Sequence, residues 1–163
     1  MMKKYLLISS LSLILLISFG FDASAQTKTY GAPINLETAK KVAASAVAEA
    51  RKNNWAMAVA ITDTAGDLIY FEKMDGTVTA SVKVAMGKAR SAALYKSPTK
   101  VWQDLVTGGK LYILGLEGAV PVEGGLPLVI DDKIVGAIGA SGGTAAQDGV
   151  VATAGAQAIA AKQ

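Results

Sequence analysis

The sequence predicts an α+β fold, a central antiparallel β-sheet of about five strands flanked by helices. Three observations carry that expectation. Two strand–turn–strand patterns, around Thr64-Ala-Gly66-Asp67 and around Asp131-Asp132-Lys133, read as hairpins. Segments of helical period precede, separate and follow them. Strands joined by such short turns pair antiparallel, whereas a doubly wound parallel sheet needs a crossover between its strands.

Taken in order, Thr27 to Pro33 is extended, and Asn35 is an N-cap for a helix over about Leu36 to Lys52. There Leu36, Ala39, Val42, Ala43, Ala46, Val47 and Ala50 keep helical spacing. Asn53-Asn54 ends it. Met57 to Asp63 reads as a strand, and Leu68 to Lys73 as its returning partner, broken by Asp75-Gly76. A second helix is expected over Ala80 to Tyr95, stopped by Ser97-Pro98. Val82, Ala85, Met86, Ala89, Ala92 and Ala93 form its apolar face of small residues. Ser81, Val84, Lys88, Ser91 and Tyr95 run beside them at helical spacing, a mostly polar stripe suited to a cleft wall.

Thr99 to Val106 is a short third helix, and Thr107-Gly108-Gly109 interrupts the chain before the segment Lys110 to Glu117. Ala119 to Glu123 and the break Gly124-Gly125 lead into strand Leu126 to Ile130, a tight turn, and strand Ile134 to Ala140. A terminal helix follows over about Ala145 to Ala161.

The chain has 163 residues, a formal net charge of +3, no histidine and no cysteine. Met1 to Ala25 reads as a secretory signal: Lys3 and Lys4, the apolar run Leu6 to Phe21, and the small-residue pattern Ala23-Ser-Ala25. Residues 26–163 then form one domain, periplasmic or secreted, with no membrane segment after cleavage. Cleavage removes Lys3, Lys4 and Asp22, so a charge already too small to argue for nucleic acid falls further. Without cysteine the fold rests on packing rather than disulfides, and without histidine the commonest metal ligands are missing.

Several separated motifs point further. They are Ile61-Thr-Asp-Thr-Ala-Gly-Asp-Leu68, Met74-Asp-Gly76 followed by Lys88-Ala-Arg-Ser-Ala92, Gly124-Gly-Leu-Pro127, and Val135-Gly-Ala-Ile-Gly-Ala-Ser-Gly-Gly143 with Gln147-Asp148. In this order they resemble the GlcG/HbpS-like family, which includes the C-terminal domain of PduO proteins. The resemblance covers about Ile34 to Ala160. It implies a profilin-like α+β domain, assembly into homo-oligomers, and haem binding, with haem degradation or an iron-related role among secreted members. Lys73 stands where an arginine is common in the family, and Ser91 where a threonine is common.

A haem needs an apolar slot, cations or donors for its propionates, and usually an axial ligand. Lys73, Lys88 and Arg90 are the cations of interest, while Met57, Met74, Met86, Tyr70, Tyr95 and Tyr112 are the conventional axial candidates. The duller reading packs the methionines in the core and solvates the lysines. Gly139 to Thr144 enters the last helix with N–H groups able to hold an anion, although Thr144 with Gln147 equally forms a capping box. The ligand-binding candidates are therefore Lys73, Asp75, Gly76, Ser81, Lys88, Ser91, Tyr95, Gly142 and Gly143. The expected function is binding of haem or a related small molecule by an exported protein. The alternative is a small enzyme or binding protein acting on an organic acid at Lys88 and Gly142-Gly143, with Asp75 or Asp148 as acidic partner. Both rest on the middle helix and the late glycine turn lining one hollow.

Overall fold

The computed structural model describes residues 28–160; the expected signal, Thr27 and the expected helix end at Ala161 lie outside the described residues. Helix α1 (Leu36–Lys52) starts where the sequence places it, with the Asn35 carboxamide oxygen accepting from the Thr38 N–H at 2.8 Å. Strands β1 (Ala58–Thr62) and β2 (Leu68–Lys73) form the first hairpin. The Asp63 carboxylate accepts from the Ala65 and Asp67 N–H groups at 2.8 and 2.9 Å, and Gly66 takes a φ of +80°, which tightens the turn.

Helix α2 (Ser81–Tyr95) ends at a left-handed Lys96, and α3 (Thr99–Thr107) follows immediately. The segment whose sequence favoured no one element contains a short 3₁₀ helix, Leu111–Gly115. Strands β3 (Gly125–Ile130) and β4 (Lys133–Ser141) form the second hairpin, with Asp131 and Asp132 at φ of 48° and 60°, the geometry of a two-residue turn with both centres left-handed. Helix α4 (Ala145–Gln157) closes the chain behind the full Thr144/Gln147 capping box.

The sheet has four antiparallel strands in the order β2-β1-β4-β3, not about five. The segment Ala119 to Glu123, ahead of β3, adds no further strand. Pro121 carries no N–H there, and the neighbouring amides bond to side chains: Val120 N–H to the Ser91 hydroxyl at 3.1 Å and Glu123 N–H to Gln103 Oε1 at 2.8 Å. Backbone donors spent in this way cannot enter a ladder.

Strand alternation sorts the interior into two layers. Val59, Ile61, Ile138 and Ala140 face α1 and α4 and join Val42, Ala46, Val47 and Val151 in the main apolar core. Ala58 and Ala60 face α2 and meet Ala85 and Ala89, while Ala137 meets Ala92 and Ala93. Helix α2 lies so close to the sheet that a Cβ on Gly139 would approach the Ala89 nitrogen to 2.6 Å. Glycine there is a requirement of the close approach.

Candidate functional site

Lys88 sits midway along α2 on the face turned to the sheet, only 1% exposed. Its ammonium donates to Asp148 Oδ2 at 2.6 Å and to the Ala140 carbonyl at 3.2 Å. Asp148, in the first turn of α4, is also buried, and its Oδ1 accepts from the Gly143 N–H at 3.0 Å. The pair spans the molecule, because α2 and α4 lie on opposite faces of the sheet. Gly124 makes the passage. A Cβ there would lie 2.9 Å from Lys88 Nζ, 2.7 Å from Asp148 Cβ and 2.8 Å from the Ala140 oxygen.

This geometry corrects one expectation and refines another. The stripe Ser81, Lys88, Ser91 is not an open cleft wall: all three side chains are buried, while Val84 on the same stripe is exposed. The middle helix and the late glycine turn do converge, but on Asp148. The anion that the Gly142-Gly143 loop was expected to take is supplied by the chain itself, and the lysine that would have held it is already paired. A buried charge left without a partner is strongly destabilising, so each half of this arrangement requires the other.

The other candidates occupy separate places. Lys73 ends β2 and is exposed, and Asp75-Gly76 forms an exposed turn in which the Thr77 hydroxyl donates to the Met74 carbonyl at 2.7 Å. That turn and the Gly142 loop both pack around Ala56: Gly76 would meet the Ala56 methyl and Gly142 its carbonyl oxygen. Ser91 accepts from Val120, as described, and Tyr95 donates to the Glu117 carbonyl at 2.7 Å with its ring edge-on to Trp102, centroids 5.3 Å apart. Ser91 and Tyr95 thus anchor the segment after the 3₁₀ helix to α2.

The axial candidates separate in the same way. Met57 is sealed in the core, and Met74 packs against it. Tyr70 donates to Glu72 Oε2 at 3.3 Å, and burial, with the Glu72 carboxylate beside it, raises its pKa above the usual phenol value, which opposes a tyrosinate ligand. Met86, 37% exposed, and Tyr112, 68% exposed, are accessible. Sequence reasoning missed Thr62. Its hydroxyl is buried without a hydrogen-bond partner, one of two such side-chain groups among the described residues, with the Trp102 indole N–H.

Cavities of about 390, 290 and 260 Å³ open along the surface, and Lys88 lines none of them. The first lies beside α4 with Glu49 and Glu123 at its rim, and the second by the N-terminal arm at Pro33 and Asn35. The third lies between the first hairpin and α2. All sit at or below the low end of the range for small-molecule pockets, so a haem enclosed within one subunit does not fit them.

An antiparallel four-stranded sheet with α1 and α4 on one face and α2 with the start of α3 on the other, clasped by a Lys–Asp pair through a glycine gap, defines a small α+β domain class. The family model described as "Haem degrading protein HbpS-like" matches residues 34–157, and the chain belongs to that family. It is 35% identical over 108 residues to Protein GlcG of Escherichia coli K12, covering 66% of this chain and 81% of that one. The crystal structure of Klebsiella pneumoniae protein ORFY superposes with a TM-score of 0.75 at 29% identity, covering 83% of this chain and 96% of the other. That of a PduOC:haem complex gives 0.71 at 26% identity, covering 78% and 96%.

Proposed function

We propose that this chain is an exported haem-binding protein that takes haem on an open face, completed by a second copy of itself. The observation that carries the reading is membership of the HbpS-like family together with likeness to a domain solved in complex with haem. Export rests on the sequence of residues 1–25.

The residues of this chain fit an externally seated haem better than a buried one. The lobe after α3 exposes Leu111, Tyr112 and Leu114, and Lys110 precedes them. Apolar side chains take the macrocycle, the Tyr112 oxygen is a ligand type found for haem iron, and Lys110 is placed for a propionate. Bound haem supplies an iron centre for redox or oxygen chemistry. The protein supplies the seat, and a second copy would cover it. An apolar patch of this kind left uncovered invites association, which is the physical reason for proposing a homo-oligomer.

Titrating the exported form with haemin tests this directly. A saturable Soret change is expected, with its position shifted in Tyr112→Phe and unchanged in Met86→Leu. No saturable change in the natural sequence sinks the haem reading. Sedimentation should show an oligomer that Leu114→Glu dissociates.

A further inference from the structure

The hollow of about 260 Å³ between the β1–β2 hairpin and α2 is separate from both the Lys88–Asp148 clasp and the Tyr112 lobe. Thr62, Gly66, Asp67, Leu68, Met86 and Arg90 line it. Two groups there are chemically unspent. Ala58 and Ala60 point to α2, so Thr62, two residues further along β1, points the same way, toward the hollow. Thr62 is 2% exposed, and its hydroxyl has no hydrogen-bond partner. A buried polar group in that state is a standing energetic defect that folding alone gives no reason to keep, since valine has nearly the same shape.

Arg90 is the second group. Its nearest carboxylate, Asp67, is 3.7 Å away and well exposed, and its bond to the Gly66 carbonyl is long, at 3.5 Å. The guanidinium, with its side chain 52% exposed, therefore has most of its planar donor fork free. Gly66 holds it in place: a Cβ there would fall 2.8 Å from Arg90 Cγ, so the bare turn lets the arginine stem lie across it. Leu68 and Met86 add apolar surface, and the methionine is the unbranched, adaptable side chain suited to the wall of a small site.

We propose that this hollow is a binding site for a small organic carboxylate, with its charged end on Arg90 and its body between Leu68 and Met86 over the Thr62 hydroxyl. A guanidinium fork matches a carboxylate with two parallel hydrogen bonds. The apolar walls select an organic acid over an inorganic oxyanion, which would leave them uncovered and gain nothing from their burial. The hydroxyl at the floor supplies a donor to an oxygen on the carbon next to the carboxylate, and that bond would remove the orphan.

Amide chemical-shift titration of the isotope-labelled exported form tests the proposal, using pyruvate, acetate and inorganic phosphate as probes. Pyruvate should give saturable shifts centred on Gly66, Gly87 and Arg90, with a Kd of about 1 mM or tighter. Arg90→Lys should weaken binding about tenfold, since lysine cannot reproduce the two-point contact. Thr62→Val should weaken pyruvate about tenfold while the melting temperature stays level or rises, a combination that a merely structural threonine would not give. Haemin titration of the same variants should match the natural sequence, which separates failure at this site from failure of the haem reading. The proposal is overturned if neither carboxylate saturates, if phosphate binds as tightly as pyruvate, or if Thr62→Val leaves pyruvate affinity unchanged.

Discussion

The two faces of the sheet are built by different rules. Toward α1 and α4 the strands present Val59, Ile61, Leu128 and Ile138, branched side chains that fill an ordinary apolar core. Toward α2 the two central strands present alanine, glycine and Thr62, with Phe71 of β2 at the side, and the helix answers with Ala85, Ala89, Ala92 and Ala93. Buried polar side chains gather on that side: Ser81, Lys88 and Ser91 all project from α2. One face derives its stability from buried apolar area, the other from closeness and from the paired Lys88 and Ser91, with the Thr62 hydroxyl left unpaired. The lesson is that a small-residue face brings backbone near enough for a few polar contacts to become decisive.

The largest test of that contrast is Lys88→Met. It leaves the Asp148 carboxylate buried without its cation and should cost about 3–5 kcal/mol in denaturant unfolding, with part regained when Asp148→Leu is added. A loss below about 1 kcal/mol would show the pair to be as dispensable as a surface ion pair. Next, Gly139→Ala on the close face should cost about 1–3 kcal/mol although it adds only one methyl, because the atoms it meets are the backbone of α2, which no rotamer change can move. Removing a methylene from the other face with Ile138→Val should cost less, about 0.5–1.5 kcal/mol, since surrounding side chains relax into the space. Equal costs for the two would erase the distinction. An effect of the same size belongs to Thr144→Ala, about 1 kcal/mol in thermal unfolding, because it removes the α4 cap but leaves the clasp.

What the sequence discloses follows the same division. The first helix, both hairpin turns and the last helix start are written locally, in Asn35, in Gly66, in Asp131-Asp132 and in Thr144 with Gln147. The expected count of about five strands exceeds the four observed, and nothing in the stretch around Pro121 shows that Ser91 and Gln103 take its amides. The polar stripe on α2 was legible as a stripe. Its burial was not, because helical spacing says which residues share a side and nothing about what covers them. Lys88 and Asp148 are 60 positions apart, and only the absence of a side chain at Gly124 lets them meet. Thr62 offered a faint signal, a lone hydroxyl at the end of the apolar run Met57 to Ile61.

The clasp also sets an order of events. Its acidic half belongs to α4, 60 positions after the lysine, so the ammonium has no buried partner until α4 packs against the sheet. Closure of the clasp therefore waits for α4. A chain cut before α4 should be more open to proteases than the intact one, which limited proteolysis would show.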